Sequence, residues 1–210
     1  MARWLPRLLL FVSLAIWSCG DGGETIPTDE YLPQTSEDNV LNNFQVAYRQ
    51  RQADQYAKLL ANDFQFYFDP VTRGQAGLEY WTRTDDSLRT EQLFTSAEVP
   101  RIVIDLKWPA KSAVSAGYVP PREGWKKLFV SDVFLDVDFA PAGQEVTTFR
   151  IENQPQRFYF RRGRTYPPSG PGDTLTYIVE WRDQGLSGSK PGMPLTAEAS
   201  TWSSIKTFFR

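Results

Sequence analysis

The chain has 210 residues, 41% of them hydrophobic and 23% charged, with a formal net charge of −2. That is globular composition, long enough to bury one sizeable core, and too weakly charged to favour nucleic acid as a partner. Histidine is absent and cysteine occurs once, which excludes His-based metal sites, Ser-His and Cys-His nucleophile pairs, internal disulfides and thiolate clusters.

In chain order, Met1 to Arg7 carries two arginines and no acid, and Leu8 to Trp17 is almost wholly apolar. This is the charge and hydropathy pattern of a secretory leader, too short for a spanning helix, which needs about 20 apolar residues. Directly after it stands Ile16-Trp17-Ser18-Cys19. The stretch resembles a bacterial lipobox, with an aliphatic residue three before the cysteine and a small one just before it. Trp17 departs from that pattern, where a smaller residue is usual. The resemblance implies a lipoprotein signal peptide over residues 1–18 and lipid attachment at Cys19. It also implies anchorage to a membrane of the bacterial cell envelope, outer or on a periplasmic or extracellular face. Residues 19–35 are rich in glycine, proline and acids and read as a flexible tether, leaving a domain over residues 36–210.

The domain opens on a helix expected to start at Ser36, with acids in its first turn. Val40, Leu41, Phe44, Ala47, Tyr48 and Arg51 recur at helical spacing. A second short helix over Asp54 to Leu60 is expected to bury Tyr56, Leu59 and Leu60. Phe64, Phe66 and Phe68 alternate in "FQFYF" and predict a strand, followed by a turn in "DPVTRGQAG". Residues 77–94 read as a third helix with Leu78, Trp81, Leu88 and Phe94 as its core contacts. From Arg101 onward the chain alternates as strands: 101–108, 127–140, "EVTTFRI", "QRFYFRR" and "TLTYIVEWRD", the last two joined through the Pro/Gly-rich 163–173. Residues 109–125 and 183–200 have no clear period. Trp202, Ile205 and Phe208 are spaced for a short docked helix at the end.

Helices first and antiparallel strands after is an α+β order. "VLNNFQVAYRQRQADQYAKLLANDFQFYFD" resembles the opening of a nuclear transport factor 2-like (SnoaL-like, cystatin-like) domain, and "YIVEWRDQG" with "TWSSIKTFFR" is similar to the ending of bacterial lipoproteins of that superfamily. The resemblance implies a cone-shaped curved antiparallel sheet wrapped on N-terminal helices, with an apolar pocket. Some members are isomerases or dehydratases, and Asp69-Pro70-Val71 echoes the setting of the ketosteroid isomerase base. Asp69 is therefore the one weak catalytic candidate. The hydroxyl donor such an isomerase carries on its first helix falls on Phe44, which has none.

Other patterns carry less. Asp132, Asp136 and Asp138 can share a strand face, which suits a solvated surface better than a metal site. "RFYFRRGR", Arg157 to Arg164, reads as an inward aromatic face with exposed arginines, and the glycine segments match no phosphate loop. The expectation is a non-catalytic, membrane-anchored domain, with no cofactor and no metal, that binds a small apolar ligand or an envelope protein. The alternatives are an enzyme using Asp69 as general base and a structural module that pairs as a homodimer.

Overall fold

The computed structural model describes residues 29–69, 72–73, 77–108, 125–165, 173–184 and 201–208. Cys19, the leader and nearly all of the two aperiodic stretches lie outside the described residues. No helix among the described residues is long and apolar enough to cross a membrane.

Helix α1 (Glu37–Gln50) starts where the sequence places it. The Ser36 hydroxyl accepts the Asn39 N–H at 3.2 Å, and Glu37 and Asp38 sit in the positive first turn. Its apolar stripe is fully buried. Arg51 ends the helix in the left-handed region at φ 55°, which a non-glycine residue adopts only when something holds it there. Here its guanidinium donates to the carbonyls of Phe94 and Val99 at 2.6 Å each and of Ser96 at 3.0 Å. One side chain thus closes α1 and satisfies orphan carbonyls at the end of α3 (Arg83–Thr95). Between them, α2 (Ala53–Leu59) buries Tyr56 and Leu59, and Leu60 opens β1 (Leu60–Tyr67). Phe64 and Phe66 point inward from this strand and Phe68, just past its end, is buried with them, as their alternation predicts.

The helix expected over 77–94 is two elements. Tyr80–Thr82 forms β2, antiparallel to β1 with Trp81 opposite Phe66, and α3 begins only after Thr82. Thr82 and Asp85 make a reciprocal capping box that fixes the start. Trp81 and Phe94 are core residues as expected, but Leu78 and Leu88 are exposed. The apolar period across the cap was coincidental.

Six further strands follow: β3 (Arg101–Lys107), β4 (Lys126–Val130), β5 (Asp132–Phe139), β6 (Thr147–Glu152), β7 (Gln156–Arg162) and β8 (Thr176–Asp183). They form a five-stranded sheet, β2-β1-β8-β7-β4, and a three-stranded sheet, β3-β5-β6. Two details sharpen the expected antiparallel cone. First, β1 and β8 run parallel, so the larger sheet is mixed. These strands lie at opposite ends of the domain sequence, and no hairpin forces their direction. Second, the single strand expected over 127–140 breaks at Ser131. Its first half pairs with β7 and its second with β3 and β5's other neighbour β6, so the chain steps from one sheet to the other. Residues of both sheets and all the helices share one hydrophobic core.

The β5 carboxylates are matched across the smaller sheet. Asp136 accepts a fork from Arg150 at 2.8 Å, Asp138 one from Arg101 at 2.6 and 3.1 Å, and Asp132 lies 3.6 Å from Lys107. The Arg101 hydrogen bonds hold the Asp138 carboxyl below its ordinary value of 3.8. A lowered folded-state pKa stabilises above the ordinary value and is lost as pH falls through the lowered one. Arg101→Ala should therefore be less stable than the parent at neutral pH, with the gap closing as the pH falls below 3.8. Urea titrations across that range measure it.

The arginine-aromatic run has the inward aromatic face expected of it, and is buried more deeply than expected. Phe158, Tyr159 and Phe160 are all buried, because a second small cluster with Ala61, Tyr177 and Val179 covers the other face of β7. Arg161 is buried too, forking onto Asp63 at 2.6 and 2.9 Å.

Candidate functional site

The last described helix, α4 (Trp202–Phe208), lies in the interior framed by α1, α2, α3 and β8. Trp202 and Lys206 are one turn apart on its buried face. The Trp202 ring meets Trp181 of β8 at 4.8 Å, Tyr48 at 5.1 Å and Phe44 at 6.0 Å, each steeply tilted. At its far end Phe208 packs edge-on to Phe139 at 4.8 Å and lies 5.0 Å from Phe149, so the helix reaches the smaller sheet as well.

Lys206 and its partner Asp86 are both wholly removed from solvent, each at 0% side-chain exposure. The Lys206 Nζ donates to Asp86 Oδ1 at 2.5 Å and to the Tyr56 hydroxyl at 3.1 Å. Tyr56 in turn donates to Asp86 Oδ2 at 2.5 Å. Three rings surround the ammonium: Trp181 at 4.4 Å, Phe66 at 4.8 Å and Tyr56 at 5.2 Å from its centre. Burial pushes the Lys206 pKa down, against the pull of Asp86, and pushes the Tyr56 phenol well up with the Asp86 charge adding to it. The arrangement is an aromatic cage closed by a carboxylate.

The start of α4 is held by a second buried polar group. The Asp183 carboxylate accepts the Ser203 N–H and hydroxyl at 2.8 Å each and a Gln156 amide N–H at 3.0 Å. Gln156 accepts the Trp181 indole N–H at 2.7 Å, tying this network to the cage. Burial raises the Asp183 pKa, its hydrogen bonds oppose the rise, and the Asp69 charge adds to it.

Asp69, the catalytic candidate, belongs here. It is 1% exposed. Its carboxylate accepts the Thr72 N–H at 3.2 Å and the Thr201 hydroxyl at 3.0 Å, and its own N–H donates to Ser203. It therefore opens a turn and fastens α4. Phe44 sits in the aromatic cluster, with no polar function. Cys19 lies outside the described residues. Beside Asp183 a cleft of about 170 Å³ is lined by Tyr67, Phe68, Arg73, Glu79 and Arg182. Arg182 stacks over the Tyr67 ring at 4.5 Å and pairs with Glu180.

Sequence reasoning missed Tyr48, Tyr56, Asp86, Asp183 and Lys206 as a set. The first three occupy apolar or helical positions that read as core or surface, and Lys206 reads as a last-turn cation. The one available signal is the Trp202–Lys206 spacing, which puts a lysine on the face that a buried tryptophan requires.

These elements define an α+β domain, a curved mixed sheet packed on helices, with its interior taken up by the terminal helix. No family model and no curated protein matches the chain. Solved structures are similar in fold. A conserved protein from Planctomyces limnophilus is 13% identical over 69% of this chain and 88% of its own, with a TM-score of 0.46. A nuclear transport factor 2-like superfamily protein from Salmonella enterica is 12% identical over 74% and 92%, with a TM-score of 0.44. A hypothetical protein with a ketosteroid isomerase-like fold from Catenulispora acidiphila is 12% identical over 69% and 82%, with a TM-score of 0.36. The likeness is one of fold, and residue roles rest on this chain's own geometry.

Proposed function

We propose that the chain is a lipid-anchored protein of the bacterial cell envelope whose domain works by binding rather than by catalysis, with the seat of α4 as its place of engagement. The observation that carries this reading is the use of Asp69. Both carboxylate oxygens of the one candidate base are engaged in fastening α4, by Thr72 and Thr201. A general base needs its oxygen within hydrogen-bond reach of the proton it removes, and here those contacts serve structure. The interior where an apolar ligand of this fold would lie holds Trp202 and Lys206 instead, so binding requires a partner or ligand that competes with them.

The anchor rests on Cys19 and the leader before it. Metabolic labelling with palmitate should mark the parent chain and leave Cys19→Ser unlabelled; equal labelling of the two contradicts the anchor. Several buried acyl chains, each methylene contributing about 0.8 kcal/mol, then account for firm membrane retention. For the binding role, mass spectrometry of the chain purified from membranes should find a co-purifying small molecule or protein in substoichiometric amount.

A further inference from the structure

We propose that the seat of α4 is a binding site for a primary ammonium carried on an aromatic body, and that Trp202 and Lys206 occupy it as an internal stand-in for that ligand. The inference rests on the reading of the domain as a binding module and adds the ligand's chemical class.

The seat has two poles. One is cationic in its preference: a carboxylate, a phenol and the faces of three rings converge on a single ammonium. Aromatic faces and an ionised acceptor together are the recognition chemistry of organic cations. Two N–H bonds, to Asp86 and Tyr56, suit a primary ammonium, since a quaternary one has none to give. The other pole is an aromatic slot between Phe44, Tyr48 and Trp181, filled by the Trp202 indole. The poles are separated by one helical turn, so a flexible ligand joining a bicyclic ring to an amine through a short alkyl chain can reach both.

The stand-in also fits imperfectly. The Trp202 indole N–H is buried and completes no hydrogen bond. A buried donor left unpaired is uncommon, and this one belongs to the occupant itself, whose fit to the seat is therefore incomplete. Finally, α4 has seven residues, too few to remain helical in water alone. Its helix and its docking form together, so a ligand that takes the seat melts the helix rather than sliding it aside. By this logic the apparent affinity for an amine is reduced by the fraction of chains with α4 docked.

The test uses the full-length chain with tryptamine and with tryptophol, which carries a hydroxyl in place of the ammonium. Calorimetry should give saturable tryptamine binding, at least tenfold tighter to Lys206→Ala than to the parent. Tryptophol should bind Lys206→Ala at least tenfold more weakly than tryptamine does. In the parent, tryptamine and not tryptophol should accelerate amide hydrogen exchange over residues 201–208. Equal responses to the two compounds, or no saturable binding to either protein, overturn the proposal. Should Lys206→Ala fail to fold, the exchange experiment on the parent decides: no selective acceleration by tryptamine overturns it. The exchange data also separate the ligand's chemical class from the binding role itself. If α4 opens below the global unfolding transition without amine selectivity, only the ligand class fails. If α4 exchanges solely by global unfolding, the binding reading fails with it.

Discussion

Lys206→Met should destabilise the domain by about 3–5 kcal/mol, because breaking a buried ion pair from one side leaves the other charge uncompensated. Methionine keeps the length and apolar stem of lysine, so packing against Phe66 and Trp181 survives, and the loss reports on Asp86 alone. Asp86 would retain one donor, Tyr56, for a carboxylate with no exposure. Adding Asp86→Asn should recover part of the loss, since a neutral amide oxygen can still accept from Tyr56 without a buried charge while its NH2 is left without a partner. Such recovery identifies the cost as electrostatic. Chemical denaturation of the two single variants and the double variant measures the coupling, and residues in direct contact are where such cycles depart from additivity. If Lys206→Met is neutral, the ammonium is not where the fold places it.

Trp202→Ala should cost a similar amount, about 3–5 kcal/mol, for a different reason. The indole is among the largest fully buried side chains and touches the rings of Trp181, Tyr48 and Phe44. Removing it leaves a void that α1 and β8, both fixed by the rest of the core, cannot close. Because Trp202 and Lys206 dock the same short helix, the pair Trp202→Ala with Lys206→Met should cost less than the two losses added: losing Trp202 loosens α4 and with it the Lys206–Asp86 pair, so removing the ammonium then costs less. Thermal or urea unfolding of the three variants reads this directly. A fully additive pair would indicate that α4 stays docked without Trp202.

Much of the architecture was legible from local patterns, and the reasons are local. Ser36 and the acids after it mark the start of α1 because a cap is a contact over three residues. The alternating phenylalanines of β1 and the alternation of β3 follow from the pleat. The error over 77–94 is instructive in the same terms. Trp81 continues a helical period by accident, whereas the Thr82–Asp85 box decides where α3 begins. The parallel pairing of β1 with β8 and the step between sheets at Ser131 have no local signature, because each is settled by partners far along the chain.

The candidate site was legible in one residue and one spacing. Asp69 was visible as an aspartate opening a turn after an aromatic strand; that its carboxylate fastens Thr201, 132 positions away, was not. Lys206 reads as an ordinary last-turn cation, and its partner Asp86 lies 120 positions earlier on a different helix. A buried ion pair looks like two surface charges until the fold brings them together. The chain's most distinctive local motif, the run up to Cys19, bears on the proposed anchor and not on how the interior is built.

Lys206 is held inside the domain, with its ammonium among Trp181, Phe66 and Tyr56. Proton NMR of the lysine side chains tests it most directly, since protons over aromatic faces are shifted upfield by ring currents and buried ammonium protons exchange slowly with water. The Lys206 ε-methylene resonances should stand well upfield of those of every other lysine, with ammonium protons observable at neutral pH. Lys206 resonances in the ordinary envelope, with fast-exchanging ammonium protons, would place the side chain in solvent and contradict the account.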